Sequence, residues 1–178
     1  KENTSSAKEF IDIAHEKYMK GIASGNQVKP KVLSKFWHYR GQIYLVLNDL
    51  DIAVEAFLKD IKLDAKGGFS KKSVAALNRC AGKYVSQAEE SYKKATELFD
   101  TDKNLAKDYL FSSANSFLQT YEIRKTPSIG IIDTASLFNA CLLFSDINNP
   151  DSDNLALDQA KKLVKLNPKD EKFQIRLL

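Results

Sequence analysis

Residues 34–65 read SKFWHYRGQIYLVLNDLDIAVEAFLKDIKLDA, and this stretch decides the fold. Its apolar residues recur three and four apart on both sides of Asn48-Asp49, the period of two amphipathic helices and not of strands. Asn and Asp tolerate the backbone of a tight turn, so this pair reads as the connection. Upstream, Pro30 suits a first helical turn, where no backbone N–H is needed, and the helix it opens runs to about Leu47. The helix after the turn covers about Leu50 to Leu63 and directs Ala53, Ala56, Phe57 and Ile61 inward. Two helices on so short a connection lie side by side as an antiparallel hairpin.

Working outward, Ile11, Ala14, Tyr18 and Ile22 form one face of a helix from about Ser6 to Ser24. Ser6 and Glu9 have the spacing of a capping box at its start, and Gly25-Asn26 suits its end. Downstream, Gly67-Gly68 breaks the pattern. Val74, Leu77, Ala81, Tyr84, Ala88, Tyr92, Ala95 and Leu98 then make one stripe, which predicts a single long helix from about Ser70 to Phe99. Gly82 is its weak point, because a helical glycine costs about 1 kcal/mol against alanine; the alternative is a break there. Thr101-Asp102 can cap a helix from about Lys103 to Arg124, and Thr126-Pro127-Ser128 forms a linker. Further helices are expected from about Ile131 to Ser145 and from about Asp153 to Leu166, with Pro168 stopping the last. Phe173 to Leu178 is apolar enough to start one more helix or to pack as a cap. No segment alternates as a strand does.

Composition agrees with an all-α fold. The 178 residues include only 7 Gly and 4 Pro, few for a loop-rich or all-β protein. No apolar run approaches the roughly 20 residues of a membrane span. The net charge of +4 comes from 27 basic and 23 acidic side chains mixed along the chain. The nearest approach to a basic cluster is Lys29, Lys31, Lys35 and Arg40, which reads as a solvated helix face, so no nucleic-acid partner is expected. Cys80 and Cys141 lie in apolar helical patterns without metal-ligand spacing, and both are expected as buried thiols. Cysteine usage thus leaves the compartment open.

Within the hairpin, Trp37, Gly41, Tyr44, Ala53 and Phe57 stand in the pattern W-x3-G-x2-Y-x8-A-x3-F. This resembles a tetratricopeptide repeat (TPR). Each position has a physical task. Gly41, with no side chain, lets the two helices approach, and Ala53 is small for the same reason. Trp37, Tyr44 and Phe57 fill the space between this hairpin and its neighbours. Arg40 and Ala65 depart from the family, which prefers Leu and Pro at those places. Near the end, Ala156, Ala160, Leu163 and Pro168 follow A-x3-A-x2-L-x4-P, which is similar to the ending of a repeat's second helix.

The resemblance implies an α-solenoid: antiparallel helical hairpins stacked as a short right-handed superhelix in a single domain, residues 1–178. Its best repeat is 34–65, a degenerate long-helix unit follows at 70–124, the last repeat is 131–168, and 169–178 forms a C-terminal cap. The mixture of a standard repeat, an overlong helix and a degenerate repeat is similar to exported TPR proteins of Gram-negative bacteria. That similarity implies an exported or periplasmic protein whose signal peptide has been removed. An ordinary helical bundle with a coincidental spacing is the alternative architecture.

Functionally, the resemblance implies a non-catalytic scaffold whose concave face binds a protein or peptide. Carried onto this chain, the groove positions are Lys35, His38, Gln42, Leu45 and Val46 of the best repeat, with Thr134, Leu137 and Cys141 in the last. The family's chaperone-binding members clamp a C-terminal carboxylate with Lys and Asn where His38 and Gln42 stand here, which argues against that mode. The alternative is a structural or self-assembly module, a homo-oligomer formed through the long helix. No enzyme chemistry is expected: no nucleophile elbow, phosphate-binding glycine loop or zinc-protease motif occurs, and neither His15 nor His38 stands in a set of Cys, Asp or Glu side chains at ligand spacing that would make a metal site. No cofactor and no metal are expected. Glu89 and Glu90 are adjacent, so they point about 100° apart and read as a solvated face, not an acid/base pair.

Overall fold

The computed structural model describes residues 2–25 and 27–170, which form seven helices and no strand. They are α1 (Glu2–Ala23), α2 (Pro30–Val46), α3 (Leu50–Leu63), α4 (Gly68–Leu98), α5 (Lys103–Arg124), α6 (Thr134–Ile147) and α7 (Pro150–Leu166). The fold is therefore all-α, as the periodicity predicts. Residues group into two compact units whose division falls between Cys80 and Ala81, inside α4.

In the first unit, α3 packs on α2 and α1 lies against α2. The turn between α2 and α3 is made by Asn48, at φ 63°, and by Asp49, whose carboxylate accepts from the Ile52 N–H. Gly41 explains how closely the pair packs. A Cβ at that position would lie 2.5 Å from Phe57 Cε1, and Phe57 is wholly buried. The group facing Gly41 is thus the Phe57 ring. Trp37, 3% exposed, joins α1 to α2 through edge contacts with His15, Tyr18 and Phe36, at centroid distances of 5.4, 5.9 and 5.0 Å. Lys59 of α3 sets its ammonium 4.3 Å from the Trp37 ring centre.

Arg40 is 9% exposed and donates to Asp12 Oδ1 at 2.8 Å. Its guanidinium covers the Tyr44 ring, and the Tyr44 hydroxyl donates to the same carboxylate oxygen at 2.5 Å. A charged side chain is tolerated here because α1 supplies its counter-charge.

In the second unit, α5 packs on α6 and α6 on α7. Ser113 Oγ donates to the Ala88 carbonyl at 2.8 Å, which ties α5 to the later half of α4. Ala95, Ala114, Ala140, Phe144 and Ile147 form one core cluster. Tyr121, Leu137, Cys141, Ala160 and Leu163 form another. Small residues at these contacts let the helices approach, and the larger ones fill what remains.

Several boundaries differ from the sequence expectations. Helix α1 begins at Glu2, so Ser6 and Glu9 lie inside it and do not cap it. Gly25 ends it in the left-handed conformation at φ +79°, while Asn26 lies outside the described residues. Helix α4 passes through Gly82 unbroken. Helix α6 starts at Thr134, not near Ile131, because the Asp133 carboxylate accepts from the Ser136 N–H at 3.1 Å and so caps it there. Helix α7 starts at Pro150, not Asp153, because Asn149 Oδ1 accepts from the Ser152 N–H at 2.9 Å and proline follows as the first helical residue. The cap expected at Phe173 to Leu178 lies outside the described residues. Among the described residues no helix is long and apolar enough to cross a membrane.

Candidate functional site

The expected groove positions divide by accessibility. On α2, Lys35 and Val46 are exposed and Gln42 is half-buried. His38 and Leu45 are 5% and 6% exposed and turn into the first unit. The accessible stripe is instead Lys35, Tyr39, Gln42 and Val46, which repeats at four, three and four. Tyr39 is the member that the sequence reading misses. Its ring lies 5.9 Å from Phe69, and Lys35 sets its ammonium 5.9 Å from the Tyr39 centroid.

His38 belongs to a buried polar network that sequence reasoning also misses. The Asp60 carboxylate, wholly buried, accepts from Ser34 Oγ at 2.5 Å and from Ser73 Oγ at 2.6 Å. His38 Nδ1 lies 2.8 Å from Ser73 Oγ. Because the only proton of Ser73 goes to Asp60, His38 must carry its own proton on Nδ1 and donate it to Ser73. Burial pushes His38 below the usual histidine range, and the Lys72 and Arg79 charges add to this while Asp60 opposes it. The ring is therefore neutral near pH 7.

The order here is carboxylate, hydroxyl, imidazole. A serine nucleophile needs the imidazole in the middle as base. Ser73 is wholly buried as well, so no substrate reaches it. The network locks α2, α3 and the start of α4 together. Its signal in the sequence is Asp60 on the apolar face of α3, in register with Ala53, Ala56 and Phe57.

On α6, Leu137 and Cys141 are 0% and 2% exposed and pack against Tyr121 and Leu163. Cys141 Sγ donates to the Ala156 carbonyl at 3.3 Å, so both groove assignments are corrected to core; Thr134 stays half-buried. Cys80 is wholly buried, as expected of a structural thiol.

A different face of α6 lines a cleft. Asn139, Leu142, Leu143 and Asp146 repeat at three, one and three, and with Phe117 of α5 and Glu89 and Tyr92 of α4 they enclose about 270 Å³. Tyr92 leaves the buried stripe of α4 and stands 51% exposed on this cleft. The adjacent glutamates diverge, as their spacing predicts: Glu90 pairs with Lys94 at 2.7 Å, and Glu89 faces the cleft. A wider hollow near the α6–α7 turn, about 550 Å³, mixes Lys107 with Asp108 and Asp151 beside Phe111, Ile147 and Leu155.

Helix α6 carries two apolar stripes, and the sequence reading takes the buried one as the groove. Leu137, Cys141 and Phe144 make one, and Leu142 and Leu143 begin the other. Periodicity identifies both faces but does not say which one a neighbour covers. Among the described residues no group of three His, Cys, Asp or Glu side chains comes together as metal ligands. Comparison of the chain with protein families, with curated proteins and with solved structures finds no match.

Proposed function

We propose that this chain is a non-catalytic scaffold of stacked TPR-like hairpins that binds a protein or peptide partner. The observation that carries the reading is the cleft lined by α4 and α6. Its floor is apolar and aromatic, it opens to solvent, and its residues belong to no core cluster except Leu143 and the flanking Phe117. The Gly41–Phe57 approach supports the repeat assignment, because it gives the glycine of the W-G-Y-A-F spacing the close-packing task the family requires. The accessible stripe on α2 offers a further surface of the same kind, with Tyr39 and Val46 in it.

Affinity capture from native extract tests the proposal. The intact chain is compared with a Tyr92→Ala/Leu142→Ala variant shown by circular dichroism to be folded. Partners retained by the intact chain and lost by the variant are expected. The same proteins recovered with both, or none with either, would remove the cleft as a binding surface.

A further inference from the structure

We infer that the α4–α6 cleft takes a partner's peptide segment in which a lysine or arginine stands beside apolar residues. This rests on the scaffold reading and names the chemistry of its partner. The two charged side chains of the cleft are both carboxylates, Glu89 and Asp146. Among the described residues neither pairs with a cation. On the same helix Glu90 is met by Lys94 at 2.7 Å and Glu97 by Lys93 at 3.9 Å. Lys93 stands four residues after Glu89, within reach of it, yet turns to Glu97. Asp146 has no lysine or arginine three or four residues away in the sequence.

The position of Asp146 strengthens the argument. It stands in the last turn of α6, where unpaired carbonyls already present the negative end of the helix, and that turn holds no basic residue. A carboxylate there is repelled by its own helix. A bound cation relieves the repulsion and meets the Glu89 charge in the same cleft.

The rest of the lining selects what carries the cation. Tyr92, Phe117, Leu142 and Leu143 offer apolar and aromatic surface. Lysine and arginine side chains have the matching division, an apolar stem and a charged head, and the head is also attracted to an aromatic face. At about 270 Å³ the cleft falls just below the roughly 300–1,000 Å³ of pockets that enclose small molecules. It suits a few side chains of a bound strand or helix. A polyanion such as a nucleic acid is repelled by the same charges.

Selection of a displayed library of random peptides tests this on the intact chain, the Glu89→Gln/Asp146→Asn variant and the Tyr92→Ala/Leu142→Ala variant in parallel. The intact chain should enrich lysine or arginine flanked by leucine or aromatic residues. A labelled peptide of the enriched sequence should bind it about tenfold more tightly than it binds the charge variant, by fluorescence anisotropy, with the gap closing at high salt. Peptides enriched without cationic bias, held equally by the charge variant and lost by the apolar variant, would overturn the inference and leave the scaffold reading standing. Peptides held equally by all three chains, or no enrichment on any, would overturn both. Asp146→Asn alone should raise the thermal midpoint, because the repulsion at the helix end is removed; a lowered midpoint would sink the argument from the helix end.

Discussion

The Phe57 ring fills the space in which a side chain at Gly41 would stand, with Cε1 2.5 Å from the Cβ position. Phe57 is wholly buried and cannot withdraw, so the hairpin depends on a glycine there. Gly41→Ala should therefore destabilise by about 1–3 kcal/mol, the cost of forcing an added carbon into a packed contact. Gly82→Ala is the internal comparison. Nothing lies within 4 Å of its Cβ position, and the helix continues through it. It should stabilise by roughly 0.5–1 kcal/mol through backbone entropy alone. Urea unfolding of both variants checks the pair, and equal effects would refute the packing argument.

Trp37→Ala removes the ring shared by His15, Tyr18 and Phe36, and it also strips Lys59 of its aromatic face. Loss of a buried aromatic of this size costs about 3–5 kcal/mol. A drop below about 1 kcal/mol in the unfolding free energy would mean that α1 does not depend on this contact.

Asp60→Ala leaves the Ser34 and Ser73 hydroxyls without their acceptor in a site closed to water. Hydrogen bonds to a charged group are worth about 1.5–3 kcal/mol each, so the variant should lose roughly 3 kcal/mol or more. Hydrogen exchange should rise first in the turn between α3 and α4, where Ser70 Oγ donates to the Asp64 carbonyl at 2.5 Å. Unchanged protection there would show that the network does not hold these helices together.

Acid should destabilise the first unit in two steps. Burial pushes His38 below the ordinary histidine value of 6.5, and burial acts the same way on His15. The unfolded chain accepts protons that the folded one resists, so stability falls as pH drops below about 6.5. His38→Gln should remove part of this step. Asp12 acts lower. Its burial favours the neutral acid, but hydrogen bonds from Lys8, Tyr44 and Arg40 outweigh it and hold the carboxyl at about 2, below the ordinary 3.8. A depressed carboxylate contributes stability above its unfolded value, and the contribution is lost as pH falls from about 4 to about 2. Asp12 is partly exposed, so the contribution is about 1 kcal/mol after screening. Asp12→Asn should lose that amount at neutral pH and flatten the lower step, as read from denaturant midpoints across the pH range. An unaltered lower step would exclude Asp12 as its source.

Reading helices from this sequence succeeds where the signal is local. The hairpin at Asn48-Asp49, the proline start of α2 and the unbroken α4 all follow from backbone preference and spacing, which a few neighbouring residues carry. Boundaries fail where a single cap decides them. Asp133 and Asn149 each start a helix by accepting from a backbone N–H three residues on, and several nearby polar residues could have done so equally well.

The sequence by itself determined the all-α fold, the hairpin built on Trp37, Gly41 and Phe57, and the apolar faces of each helix. Only the tertiary structure decided which of those faces are covered. His38, Leu45, Leu137 and Cys141 share the spacing of a surface stripe yet lie in the core, while Tyr92, Leu142 and Asp146 reach the cleft. The physical reason is that helical periodicity records where a side chain points around its own axis. Burial depends on whether another helix stands there, and that is fixed by residues far away in the chain.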